Sequence, residues 1–67
     1  MKGQLQQAAD HLQLAVRLKP EFPLAHYNLA CVLADQGAIE EATSHLNLAL
    51  QQKPDYLEAK EKLKSLK

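Results

Sequence analysis

The sequence predicts an all-α fold, a solenoid of about four antiparallel helices, and three observations carry that prediction. The chain repeats itself at an interval of 34 residues. Proline and glycine cut each repeat into helix-length pieces. No stretch alternates apolar and polar residues with the period of two that a strand requires. An offset of 34 brings 33 residue pairs together, and ten are identical: Gly3/Gly37, Ala8/Ala42, His11/His45, Leu12/Leu46, Leu14/Leu48, Ala15/Ala49, Lys19/Lys53, Pro20/Pro54, Ala25/Ala59 and Leu29/Leu63. Leu5/Ile39, Val16/Leu50, Glu21/Asp55, Phe22/Tyr56 and Val32/Leu66 are conservative matches.

Each element follows from local chemistry. From Gln4 to Leu18, the residues Leu5, Ala8, Ala9, Leu12, Ala15 and Val16 recur at intervals of three and four, which places them on one helix face. Lys19 suits the negative end of the helix dipole, and Pro20 forbids continuation. Pro23 fits the first turn of a second helix, where its missing N–H costs nothing. That helix runs to about Gln36 and buries Ala25, Leu29, Val32 and Leu33. Gly37 is the expected left-handed stop. A third helix, Ile39 to Gln52, opens on Glu40 and Glu41 and closes at Lys53 and Pro54. A fourth begins after Asp55, which is spaced from Glu58 as in a capping box. The alanines Ala8, Ala30, Ala42 and Ala49 stand where helices cross closely, because a larger side chain would push the axes apart. Leu29, Leu46 and Leu50 fill the space between pairs.

Composition narrows the function. With 67 residues the chain is one domain with a thin stability margin. Its one cysteine, Cys31, rules out an internal disulfide, and neither CxxC nor HxxxH spacing is present. Eight basic residues balance eight acidic ones. The basic excess of a nucleic-acid binder and the bias of a membrane-surface helix are both missing, so neither partner is expected. The longest apolar run, Leu29 to Ala34, is far short of the ~20 residues of a membrane span, and the N-terminus lacks the apolar stretch of a signal peptide. A lone thiol fits a reducing compartment, and the expectation is a soluble, cytoplasmic protein.

The run Ala25-His26-Tyr27-Asn28-Leu29-Ala30, followed by Gly37, Ala42, Leu46, Ala49 and Pro54, resembles one complete unit of the tetratricopeptide (TPR) repeat family. His26 takes the slot of a usual aromatic, Leu33 that of a later aromatic, and Ala30 the small slot. The resemblance implies a TPR-like helix-turn-helix solenoid. Residues 3–20 would be the second helix of a partial repeat, residues 23–54 one complete repeat, and residues 55–67 a C-terminal capping helix. The cap reading has a physical basis. Lys60, Lys64 and Lys67 replace His26, Ala30 and Leu33, and lysines cannot be buried there without partners. At the other end, Leu5, Ala9 and Leu12 lie on a first helix that lacks the partner its repeat would supply. Two compatible readings stand: the chain is the C-terminal end of a longer array, or two copies pair through Leu5, Ala9 and Leu12 in a homodimer.

The resemblance also implies a site. In that family the first helices of successive units line a concave groove that holds peptides. Carried over, the groove would show Leu24, Tyr27, Asn28, Cys31 and Asp35 on the second helix, and Glu58, Glu61, Lys62 and Ser65 on the fourth. Asn28 stands where many members use an amide to grip a peptide backbone, a task suited to a group that both donates and accepts. A branch of the family clamps a C-terminal carboxylate with lysines and asparagines. Here only Asn28 and Lys62 fit, and Tyr27, Cys31 and Glu58 depart from that pattern.

Cys31 is mid-helix with no cation within four positions, so it is expected to be an unreactive groove residue. His11 and His45 repeat a framework position and are not expected to hold a metal. No nucleophile beside a base, no paired carboxylates and no phosphate-binding loop are present, and neither catalysis nor a cofactor is expected. The function this implies is a protein-interaction scaffold that binds a peptide or protein through its concave surface. Self-association, or service as the accessory repeat segment of a larger enzyme, is the alternative.

Overall fold

The structure, a computed structural model, describes residues 2–66, with the side chains of Lys2, Gly3 and Leu5 outside that description. Four helices follow one another: α1 (Lys2–Leu18), α2 (Pro23–Asp35), α3 (Ile39–Gln52) and α4 (Leu57–Leu66), with no strand among the described residues. Helix α2 packs against α1 and α3, α3 also packs against α4, and a smaller contact joins α2 to α4.

The duplicated punctuation works the same way twice. The Lys19 N–H reaches the Ala15 carbonyl at 2.9 Å and the Lys53 N–H reaches the Ala49 carbonyl at 2.8 Å, after which a proline stops each helix. Phe22, extended at φ −106° and ψ 95°, leads into Pro23 at the start of α2. At the far end of α2, Gly37 adopts φ +86°. This turn lets the Ala38 N–H reach the Leu33 carbonyl at 2.8 Å and the Gly37 N–H reach the Ala34 carbonyl at 3.0 Å, the paired bonds of a Schellman stop. Glu40 and Glu41 then complement the positive end of α3.

Two expected boundaries move. Helix α2 ends at Asp35, with Gln36 as its C-cap. The capping box of Asp55 and Glu58 does not form, because α4 starts at Leu57 and the residue before it is Tyr56. Asp55 is therefore one position too early. The Tyr56 carbonyl accepts the Lys60 N–H at 3.1 Å, and Glu58 still lies in the first turn.

The core sits between α2 and α3 and spreads to both neighbours. Leu29 and Leu46 are wholly buried, surrounded by Ala9, Ala30, Leu33, Ala42, Ala49, Tyr56 and Ala59. Burying each leucine contributes about 1.5–3 kcal/mol, and the alanines let the helix axes approach closely enough to do it. Leu50, Leu63 and Leu66 are half-buried and close the periphery, with Val32. Lys60 and Lys64 are exposed, while Lys67 lies outside the described residues.

In α1 the expectation needs correcting. Ala8 is only half-buried, so it is not at a close crossing. Ala9 takes that part and is 1% exposed. Placed inside the molecule, Ala9 is not on a surface that a second copy can reach. Leu12 is half-buried and packs on the core, and Leu5 lies outside the described side chains.

Candidate functional site

The residues expected in the groove lie on α2 and α4. On α2, Leu24, Asn28 and Asp35 are exposed, and Tyr27 and Cys31 are half-buried. The spacing Leu24, Asn28, Cys31, Asp35 keeps them on one side of the helix. Among the described residues the Asn28 amide makes no hydrogen bond to the protein, so both its donor and its acceptor are free for a ligand.

Tyr27 is held by a partner that the sequence reading did not assign to the site. Its ring lies 5.4 Å from that of Tyr56, tilted by 42°, and the Lys53 ammonium sits 5.1 Å above the Tyr56 ring. Such offset aromatic contacts contribute about 0.5–1.5 kcal/mol beyond the area they bury. The Cys31 side chain, one turn along α2, pushes the Tyr27 phenol above its ordinary pKa, and burial, Tyr56 and Glu58 add to this. Burial does the same for Tyr56, helped by Glu58 and Cys31. Both phenols therefore remain protonated, and available as donors, through neutral pH. Tyr27, Tyr56 and Lys53 thus form one stacked group. Lys62 stands apart from it: half-buried on α4, it has no hydrogen bond to α2 among the described residues, and its carbonyl accepts the Ser65 hydroxyl at 2.8 Å. The signal for Tyr56 was present in the sequence, since it repeats Phe22 at an aromatic position in front of a first helix.

Two of the three histidines face each other across α2 and α3. His45 meets His26, not His11, which is exposed. The two Nδ1 atoms are 3.0 Å apart, and the rings are 5.3 Å apart and close to parallel at 26°. His26 Nε2 lies 2.7 Å from the Pro20 carbonyl, which also accepts the Gln52 side-chain amide at 2.6 Å. The pair is a structural lock between α2 and α3. Among the described residues no group of three or more His, Cys, Asp or Glu side chains comes together to hold a metal.

Four helices in two repeating pairs, small residues at the crossings and a glycine-closed hairpin define a helical repeat protein. A family model for the TPR repeat matches residues 1–37, just over half of the chain, and the chain belongs to that family. The match covers α1 and α2 and supports protein–protein interaction as the general role. Neither a curated protein nor a solved structure matches the chain. No helix among the described residues is long and apolar enough to cross a membrane.

Proposed function

We propose that the chain is a non-catalytic interaction module that takes an extended peptide or a protein segment along the α2 face, with Leu24, Tyr27, Asn28, Cys31 and Asp35 as contacts and Lys62 at the α4 side. The observation that supports this best is Asn28: an exposed amide with no protein partner, one residue from an aromatic stack that holds Tyr27 in place. An amide so placed can pair with both the N–H and the C=O of a bound backbone. Leu24, half exposed, offers an apolar contact beside it.

The test is a random-peptide display library selected on the full chain, followed by affinity measurements on Asn28→Ala and Leu24→Ala. Both side chains are exposed, so both variants keep the wild-type circular dichroism. Loss of one amide contact is expected to weaken selected peptides by roughly five- to tenfold, about 1–1.5 kcal/mol. Peptides that bind both variants as tightly as the wild type would show that this face is not the site.

A further inference from the structure

The α2 face has an electrostatic sense that the chain as a whole lacks. Over the full sequence eight basic residues balance eight acidic ones. Helix α4 touches α2 and repeats it at an offset of 34, so Glu58, Glu61, Lys62 and Ser65 hold the places of Leu24, Tyr27, Asn28 and Cys31. Together the two helices present Asp35, Glu58 and Glu61, all exposed, beside a single half-buried ammonium, Lys62. Three carboxylates thus stand against one cation. The compensating lysines of α4, Lys60 and Lys64, are exposed on its other flank, beyond buried Ala59 and half-buried Leu63.

Further observations say what such a surface suits. Among the described residues none of Asp35, Glu58 and Glu61 accepts a hydrogen bond from a protein group, so their charge is open to a partner. Asp35 also closes α2, whose last turn holds no basic residue, and the negative end of the helix dipole adds to its charge. The tyrosine pair already seats one cation. The Lys53 ammonium lies 5.1 Å from the centre of the Tyr56 ring, whereas half-buried Tyr27 has no cation on its ring among the described residues. The charge of Glu58 reaches both phenols and helps to raise their pKa values.

We propose that the segment taken by this face is basic: an extended peptide from a partner protein, with arginine or lysine side chains at alternate positions set against Glu58, Glu61 and Asp35. The inference rests on the α2 face being the binding surface, and it adds the charge of what that surface holds. Alternate side chains of an extended chain project to one side, so cations spaced in this way all face the carboxylates. Arginine fits better than lysine. Its planar guanidinium pairs with a carboxylate through two bonds and stacks on an aromatic face such as the open part of Tyr27. An acidic segment, or a free C-terminal carboxylate, would instead set like charges against Glu58 and Glu61.

The test titrates three matched pools of fluorescent peptides into the full chain, alike in length and otherwise random, with arginine, glutamine or glutamate fixed at alternate positions. Fluorescence anisotropy is the readout. The arginine pool is expected to bind about tenfold more tightly than the glutamine pool, which is what two or three exposed ion pairs supply together. The glutamate pool is expected to bind most weakly, and added salt to shrink the differences. Glu58→Gln combined with Glu61→Gln is expected to remove most of the arginine preference. Glu21→Gln combined with Glu40→Gln, the same change of charge at exposed positions elsewhere, is expected to keep it. The preference is a ratio between pools, so a variant that is partly unfolded changes both members alike. Equal binding of the three pools, a preference for glutamate, an arginine preference that survives the Glu58/Glu61 change, or one lost equally in the control variant would each overturn the basic partner and leave the α2 face standing. Binding by none of the pools would overturn both.

Discussion

The Nδ1 atoms of His26 and His45 face each other at 3.0 Å, and the geometry assigns their protons. The Pro20 carbonyl can only accept, so His26 carries its proton on Nε2 and presents Nδ1 as an acceptor. His45 therefore donates from Nδ1. Burial holds the His45 pKa below its ordinary value of about 6.5, the neighbouring His26 ring adds to this, and Glu41 acts in the opposite sense.

A pH dependence follows. A histidine with a depressed folded-state pKa binds more protons unfolded than folded, so stability rises with pH. The His45 contribution is complete above about pH 6.5 and is lost as the pH falls from there through the folded-state value. Tm measured from pH 7.5 down to 5 is expected to fall, and to fall less in His45→Gln. Parallel curves for the two proteins would dismiss the assignment, as would a His45 ring titration with its midpoint above 6.5.

Gly37 tests the turn between α2 and α3. A Cβ placed there meets nothing within 4 Å, so the cost of Gly37→Ala is that of a left-handed alanine alone. This is about 1–2 kcal/mol, or roughly 5–10 °C in Tm. A change of less than a degree would mean that the positive φ is not maintained.

Ala30 and Ala42 test the close crossing of α2 and α3. Both are wholly buried, and neither has room for three more carbons. Ala30→Leu is expected to cost about 1–3 kcal/mol through displaced axes, in spite of its greater hydrophobicity. The same change at exposed Ala-free sites offers no comparison, but half-buried Ala8→Leu does: its mate Ala42 is packed and Ala8 is not, so Ala8→Leu is expected to be tolerated within about 0.5 kcal/mol. Chemical denaturation measures both.

The Tyr27–Tyr56 contact separates ring from hydroxyl. Tyr56→Phe keeps the ring and is expected to be close to neutral. Tyr56→Ala empties a buried position and is expected to cost about 3–4 kcal/mol, enough to unfold much of so small a chain.

The helices were legible in the sequence because their limits are written in residues with hard steric rules: Pro20, Pro23, Gly37 and Pro54 each act within one turn of themselves. The central core was legible for a related reason, since Leu29, Ala30, Ala42 and Leu46 lie at helical spacing in a duplicated frame. Contacts across elements were less accessible. The repeat matched His11 with His45, but a repeat relates equivalent places and not touching ones, and it is His26 that faces His45. Likewise Ala8 matches Ala42 in sequence while differing in burial, because burial depends on the neighbouring helix and not on the residue. The Asp55 cap failed by a single position, the distance within which local patterns cannot separate an N-cap from the residue before it. Among the groove residues, Leu24, Asn28 and Asp35 were placed on the open side by the family resemblance, whereas the tie from Tyr27 to Tyr56 needed coordinates.

The carbonyl of Pro20 receives bonds from His26 on α2 and Gln52 on α3, so a single atom in the first hairpin fastens the last turn of the third helix. Repeat arrays ordinarily unravel stepwise from their ends, each unit detaching on its own account. Here the closing turn of one unit is tied to the last residue of the unit before it, and through that residue to its own opening turn. The chain is thereby expected to melt in one cooperative step, with the amides near Gln52 and those near His26 exchanging their hydrogens at a common rate.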